Sequence, residues 1–347
     1  MKRRITFGVF CLWVGFVSCS CLPNDESIYF EKKEGDSTEL IFTYNGEGAY
    51  GIDLNNMEIK WIIRGRKFKP CYPVKSDDGR VFFVPSIFER GAKANDTIVI
   101  MNKEGKIVQR FRPWPGVMIA SLDIHSNLLL ISTPSSTIGI MDLKTWNLIT
   151  LKFENDLLGG YAFGEYHIFA WGLSGRNFFK IPISSPHQAK QSFSYGREGI
   201  NFYNYTLCGH TVWGVTKDSI YIWDINTDTF ITNFFFTNSI PGYSSYHEGW
   251  TKFLGTVSNS LYIHYFMDNQ SYLLLFDTET YAFLELVHFS NPGKNISPKE
   301  FWYSWVFFRK ENKIYFNNSA QNAGVFCFDT TAKTVIERIP WPEIRRR

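Results

Sequence analysis

One pattern recurs along this chain and narrows its possible folds more than any other feature: an alternating apolar run, an Asp, a polar turn, then a second apolar run. It reads Ala49-Tyr-Gly-Ile-Asp53 followed by Ile59-Lys-Trp-Ile-Ile, and Ile138-Gly-Ile-Met-Asp142 followed by Leu148-Ile-Thr-Leu. It returns as Ile220-Tyr-Ile-Trp-Asp224 with Phe230-Ile-Thr-Asn-Phe, and as Leu273-Leu-Leu-Phe-Asp277 with Phe283-Leu-Glu-Leu-Val. The last clear copy is Val325-Phe-Cys-Phe-Asp329 with Val335-Ile-Glu-Arg-Ile. Two weaker copies fill the gaps, at Ile98-Val-Ile-Met-Asn102 and at Phe178-Phe-Lys-Ile-Pro-Ile183. Short runs of this kind, rich in β-branched and aromatic residues and punctuated by Gly, Asn, Asp and Ser, are strands joined by turns.

With Ser184 as the equivalent position in the weak fourth copy, the anchors stand at 53, 102, 142, 184, 224, 277 and 329, at intervals of 49, 40, 42, 40, 53 and 52. Two further strand-like runs precede an anchor, for example Met118-Ile-Ala-Ser-Leu-Asp and Leu128-Leu-Leu-Ile-Ser in the third unit. Periods of about 40–50 residues in an all-β chain are the mark of a propeller. The expectation is one all-β domain over 28–347: a seven-bladed propeller of four-stranded antiparallel blades, with six or eight as the alternatives. The units resemble the β-propeller superfamily, in the style of YVTN-type, quinoprotein-type and WD-repeat blades. The Trp-Asp pair occurs once, at Trp223-Asp224, and no Gly-His dipeptide of the WD type precedes it in register, so the resemblance is architectural.

The recurrent Asp has a structural reason. Its carboxylate accepts backbone N–H groups two residues on and fixes the hairpin between third and fourth strands. A residue repeated at near-regular intervals is poorly suited to be a catalytic group, which belongs to one asymmetric constellation. The aromatic load, 32 Phe, 18 Tyr and 11 Trp in 347 residues, is expected to fill the spaces between blades.

The N-terminus reads as an export signal. Met1 to Arg4 is basic, and Ile5 to Ser18 is an apolar stretch too short for a membrane span of about 20 residues. It ends in Phe16-Val17-Ser18-Cys19, which resembles the lipobox of bacterial lipoproteins, with Phe16 departing from the usual aliphatic residue. The resemblance implies a signal peptide over 1–18, lipidation of Cys19, a tether over 19–27, and a lipid-anchored protein of the bacterial cell envelope, periplasmic or surface-exposed. An ordinary secretory signal cut near Ser20 is the alternative. Loss of Lys2, Arg3 and Arg4 from the 36 basic residues leaves 33, against 33 acidic ones, which removes the electrostatic footing for nucleic acid. Cys71, Cys208 and Cys327 are widely spaced, with no CxxC or Cys/His cluster, and are expected to be buried free thiols. No metal site and no cofactor is expected.

Departure from the repeat marks the expected working surface. Long links join blades four to five (195–205), five to six (238–250) and six to seven (290–302), and blade two has a further insertion at 85–96. All are expected on one face. They mix aromatic platforms with polar groups, a combination suited to sugars and peptides. The candidate binding residues are Arg197, Glu198, Tyr203, Tyr246, His247, Glu248, Trp250 and Trp302; no catalytic residue is assigned. The expected function is non-catalytic recognition of a glycan or of a peptide or envelope-protein partner. The alternatives are a carbohydrate-active enzyme using the same face and an envelope assembly scaffold.

Overall fold

The computed structural model describes residues 28–33, 40–65, 69–86, 95–153, 158–164, 166–172, 178–188, 190–192, 204–216, 218–227, 229–236, 240, 250–267, 270–289, 305–318 and 324–342. Blade 1 comprises β1 (Ile28–Lys32), β2 (Leu40–Tyr44), β3 (Ala49–Asp53) and β4 (Glu58–Gly65). Blade 2 is β5 (Lys69–Lys75), β6 (Val81–Ser86), β7 (Ile98–Met101) and β8 (Ile107–Phe111). Blade 3 is β9 (Ser121–His125), β10 (Leu128–Ser132), β11 (Thr137–Asp142) and β12 (Leu148–Lys152). Blade 4 is β13 (Leu158–Phe163), β14 (His167–Gly172), β15 (Phe178–Pro182) and β16 (Lys190–Ser192), with a 3-10 turn at Pro186–Gln188. Blade 5 is β17 (Asn204–Cys208), β18 (Thr211–Val215), β19 (Ser219–Asp224) and β20 (Thr229–Phe235). Blade 6 is β21 (Trp250–Val257), β22 (Ser260–Met267), β23 (Gln270–Asp277) and β24 (Phe283–Phe289). Blade 7 is β25 (Trp305–Lys310), β26 (Lys313–Asn318), β27 (Gly324–Asp329) and β28 (Thr334–Pro340). All seven sheets are four-stranded and antiparallel, and together they form a seven-bladed β-propeller. The weak fourth repeat is a true blade.

Alternation explains why the ring holds. Successive side chains on a strand point to opposite faces of its sheet, and in a ring each face meets a different neighbour. On β21, Phe253 packs toward blade 5 and Leu254 toward blade 7. The buried apolar residues accordingly form seven clusters, one for each seam between adjacent blades. The seam between blades 5 and 6 is heavily aromatic: Trp213 lies 5.7 Å from Phe276, and Phe236 lies 5.2 Å from Tyr265, ring centre to ring centre. Full burial of one such large side chain stabilises the fold by roughly 1.5–3 kcal/mol.

The Asp anchors do what their repetition implied. Asp142 Oδ1 accepts the N–H groups of Lys144 and Thr145, both at 2.8 Å, and the Thr145 N–H is the largest influence holding its carboxyl below the usual range. Asp224, Asp277 and Asp329 make the same pair of contacts, and Asp53 accepts the N–H of Asn55. Four residues after the anchor the chain turns left-handed, at Met57, Trp146, Tyr281 and Lys333, with φ between 51° and 60°. The carboxylate holds the turn while this residue reverses the chain into the next strand, the geometry of a longer hairpin with a bulge.

Blade 1 departs from expectation in two ways. Its sheet order is β1-β4-β3-β2, and β2 lies beside β5 at the channel. The Asp53 turn therefore joins the second and third strands counted outward, not the third and fourth, and β1 fills the outer place. An N-terminal strand that paired beside the last blade, near Val335 to Ile339, would latch the ring. Instead β1 pairs with β4, Ile28 opposite Gly65, and blade 7 consists wholly of C-terminal strands. Side chains close the ring. The Asn317 amide donates to Thr43 Oγ1 and to the Tyr44 carbonyl. Trp341 packs on Tyr50 with ring centres 4.9 Å apart and donates from Nε1 to the Asn318 carbonyl at 2.9 Å. Trp341→Ala is therefore expected to destabilise the protein by roughly 3–5 kcal/mol, read as a lower denaturant midpoint. A midpoint unchanged from wild type would show that closure does not depend on this ring.

Candidate functional site

Of the residues singled out in the sequence, Cys19, Arg197, Glu198, Tyr203, Tyr246, His247, Glu248 and Trp302 lie outside the described residues. Trp250 opens β21, and its side chain is likewise outside them. The long links at 195–205, 238–250 and 290–302 and the insertion at 85–96 fall largely in the same category.

The described residues do reveal an asymmetric polar constellation, on the inner strands around the central channel. It begins with Arg309 on β25. The ladder register shifts between Val306 and Phe308 on this strand and between Phe253 and Gly255 on β21, so both strands carry a bulge just where they meet. Bulges re-aim side chains and interrupt ladder pairing. Here Arg309 extends over β21, and its Nε donates to the Leu254 carbonyl at the bulge. Gly255 makes the crossing feasible. It sits at φ +115°, and a Cβ placed there would stand 1.9 Å from Arg309 Nε and 2.3 Å from the guanidinium carbon. No side chain could occupy that space with Arg309 where it is.

Beyond β21, Arg309 interacts electrostatically with Cys208 of blade 5 and Asp123 of blade 3. A residue of blade 7 whose charge is felt by both must project into the channel. The side chain is exposed, while the protein around it lowers its pKa. Cys208 Sγ lies 3.2 Å from Thr256 Oγ1 on β21, and burial pushes its thiol up to about 12, an inert state. Asp123 lies on the face of β9 turned to blade 4. Two residues before it, Ser121 Oγ lies 3.1 Å from the Tyr161 hydroxyl and within hydrogen-bond reach of Ser132. Two residues after it, His125 stacks on Phe163 at 5.0 Å.

Burial drives the Asp123 carboxyl up from 3.8 to about 6. The Ile124 N–H, 2.8 Å from Oδ1, and the charge of Arg309 oppose that shift only in part. Burial, followed by the nearby Asp123 charge, raises the Tyr161 phenol, so it stays protonated. A second buried pair lies on β21 and β22, where Lys252 and His264 stand opposite each other in the ladder. Burial pushes Lys252 down to about 8; burial first, then the charge of Lys252, pushes His264 down to about 3. His264 is fully buried. Cys71, Cys208 and Cys327 are free and buried, as anticipated. Among the described residues no group of His, Cys, Asp and Glu is placed to hold a metal ion, and no helix is long and apolar enough to cross a membrane.

The channel residues escaped sequence reading because each is an isolated polar residue inside an apolar strand. The available signal was a charge in the first strand of a unit, as in Ser121-Leu-Asp-Ile-His125 and Val306-Phe-Phe-Arg309, together with a Gly inside Phe253-Leu-Gly255.

No known protein family and no curated protein matches the sequence. Solved structures do. A catalytically inactive virginiamycin B lyase from Staphylococcus aureus with quinupristin is 17% identical, with TM-score 0.54, over 79% of this chain and 85% of that one. The dihydro-heme d1 dehydrogenase NirN is 11% identical, with TM-score 0.54, over 90% of this chain; the match spans 66% of NirN's length. The computationally designed Ika8 protein is 11% identical, with TM-score 0.56, over 89% and 86% of the two chains. These likenesses define the class of protein by its fold, a seven-bladed β-propeller, and no particular subfamily within it.

The raised carboxyl of Asp123 has a consequence for stability. Its ionised form is disfavoured in the fold, so this group's contribution becomes unfavourable as pH rises from the unfolded value near 3.8 through about 6. Asp123→Asn is expected to raise the melting temperature at about pH 7.5 and to leave it nearly unchanged at about pH 4. Equal shifts at both values would mean that the carboxyl titrates normally.

Proposed function

We propose that this protein is a recognition propeller of the bacterial cell envelope, anchored through lipid on Cys19, that binds a glycan or an extended peptide without chemically altering it. The observation that carries the reading is where the ring departs from its repeat. The longest intervals between anchors, 53 and 52 residues, fall on consecutive blades 5 to 7, and Arg309, which reaches over β21, belongs to blade 7. Binding residues on a rigid scaffold concentrate in such departures. Arg197, Glu198, Tyr203, Tyr246, His247, Glu248, Trp250 and Trp302 would supply the flat and polar surfaces at the channel mouth.

One observation favours a second reading, a carbohydrate-active enzyme. Asp123, with its carboxyl near 6, lies within electrostatic reach of both Arg309 and Tyr161, and a lyase needs a cation and an acid–base pair. The lyase among the structural neighbours shares the fold at 17% identity and lends no substrate to this chain.

Two measurements test the proposal. Cys19→Ser is expected to move the protein from membranes to the soluble fraction, with the wild-type mature N-terminus carrying acyl mass by mass spectrometry. An unmodified N-terminus beyond Cys19 would remove the anchor. In a glycan and peptide array, Trp250→Ala or Trp302→Ala is expected to weaken binding by about ten-fold or more, with little change in melting temperature. A large loss of stability with binding intact would make these rings packing residues. Formation of unsaturated or newly reducing sugar ends would favour the enzyme.

A further inference from the structure

We propose that the central channel contains a carboxylate-binding site, with Arg309 as its fixed cation, Gly255 as the gap that admits it, and Asp123 facing it from the other side of the ring. The chemical class of ligand is a group carrying a single carboxylate, such as a uronic acid or a peptide C-terminus. The source of that carboxylate rests on the recognition reading above; the site itself does not.

The guanidinium is held rather than free. Its Nε is tied to the Leu254 carbonyl, the bulges of β21 and β25 set its direction, and the missing Cβ of Gly255 gives it passage. The bond to Leu254 uses one N–H of the fork and fixes the plane of the group. The two terminal nitrogens remain as a forked donor beyond β21. Among the described residues, no carboxylate lies within ion-pair distance of Arg309. Asp123 acts on it through the field alone, and Leu254 is its only described hydrogen-bond acceptor.

A cation in surroundings that disfavour its charge gains most from an anion that is hydrogen-bonded as well as close. A planar carboxylate meets the two terminal nitrogens of a guanidinium with parallel hydrogen bonds. The second charge in the channel restricts the choice further. Ionised Asp123 would repel a dianion such as phosphate more strongly than a monoanion, so it selects for a single carboxylate. Arg309 is next to last in β25, beside the turn into β26, so the site lies away from the end at which the chain enters that strand.

The test uses the full chain in detergent micelles with defined probes: digalacturonate, its neutral counterpart digalactose, the dipeptide Ala-Ala as free acid and as amide, and inorganic phosphate. Isothermal titration is expected to show binding of at least one carboxylate probe, with its neutral counterpart and phosphate weaker by about ten-fold or more, ~1.4 kcal/mol. The two acids distinguish a sugar source from a peptide source. Arg309→Gln and Gly255→Ala are each expected to weaken that binding by about ten-fold or more, Arg309→Lys less, and Asp123→Asn is expected to strengthen it. Circular dichroism of each variant separates lost binding from lost fold, and Arg309→Lys keeps the charge where Arg309→Gln proves unstable. Equal binding of acid and neutral probes, no binding of either acid, or a folded Arg309→Gln that binds like wild type would overturn the site. Carboxylate binding that survives Trp250→Ala and Trp302→Ala would support the channel site even if the outer-face reading fails.

Discussion

Face-to-face packing of twisted sheets around a closed ring is the constraint on which the rest of this structure depends. A sheet with water on one face needs apolar residues on one side only; a blade between two others needs them on both. That requirement explains strands such as Leu128–Ser132 and Ala49–Asp53, which are buried along their entire length. It also explains the aromatic load. A radial arrangement leaves wedge-shaped spaces that widen outward, and rings such as Trp213, Phe276 and Phe283 fill them edge to face. Burial in seams, rather than in one central core, lets a ring with an open middle be stable.

Closure follows from the same packing. Many rings tie their ends by mixing N- and C-terminal strands in one blade. Here β1 completes the first blade, so the seam between blades 7 and 1 depends wholly on side chains. Tyr50, Trp341 and Asn317 carry it: the two rings pack across the seam, and the Asn317 amide donates across it to Thr43 Oγ1 and the Tyr44 carbonyl. These polar contacts fix which residues meet, and the buried apolar cluster around Ile52, Tyr315 and Ile339 supplies most of the energy.

The architecture was legible because the repeat is written in local physics. An Asp that captures turn N–H groups leaves a spaced mark, and strand alternation leaves another. Together they set the number of blades, including the weak one at Phe178, where Pro182 and a 3-10 turn replace the Asp. Two things were not legible. The pairing of β1 depends on which sheet edge is open when the chain arrives, and an apolar strand such as Ile28-Tyr-Phe fits several edges equally well. The constellation was hidden because its members come from blades far apart in sequence: Asp123, Cys208 and Arg309 act on one another through space, not through a motif. The link residues chosen for their composition lie outside the described residues, so their convergence is a matter for the binding experiments.

The channel also shows how a repeat acquires a direction. Seven similar blades would enclose a nearly symmetric lumen with no means of distinguishing one side from another. A single glycine changes that. A side chain at position 255 would clash with the arm of Arg309 where it lies over β21. Without one, the charge lies over β21 and reaches the field of Cys208 and Asp123. The bulge that accommodates the crossing also frees the Leu254 carbonyl to receive it, so the break in the ladder and the anchoring of the cation have one cause. Losing a side chain on one strand and gaining a charge on the next are thus a coupled change. The ring's scaffold tolerates it because each seam is stabilised mainly by its own cluster.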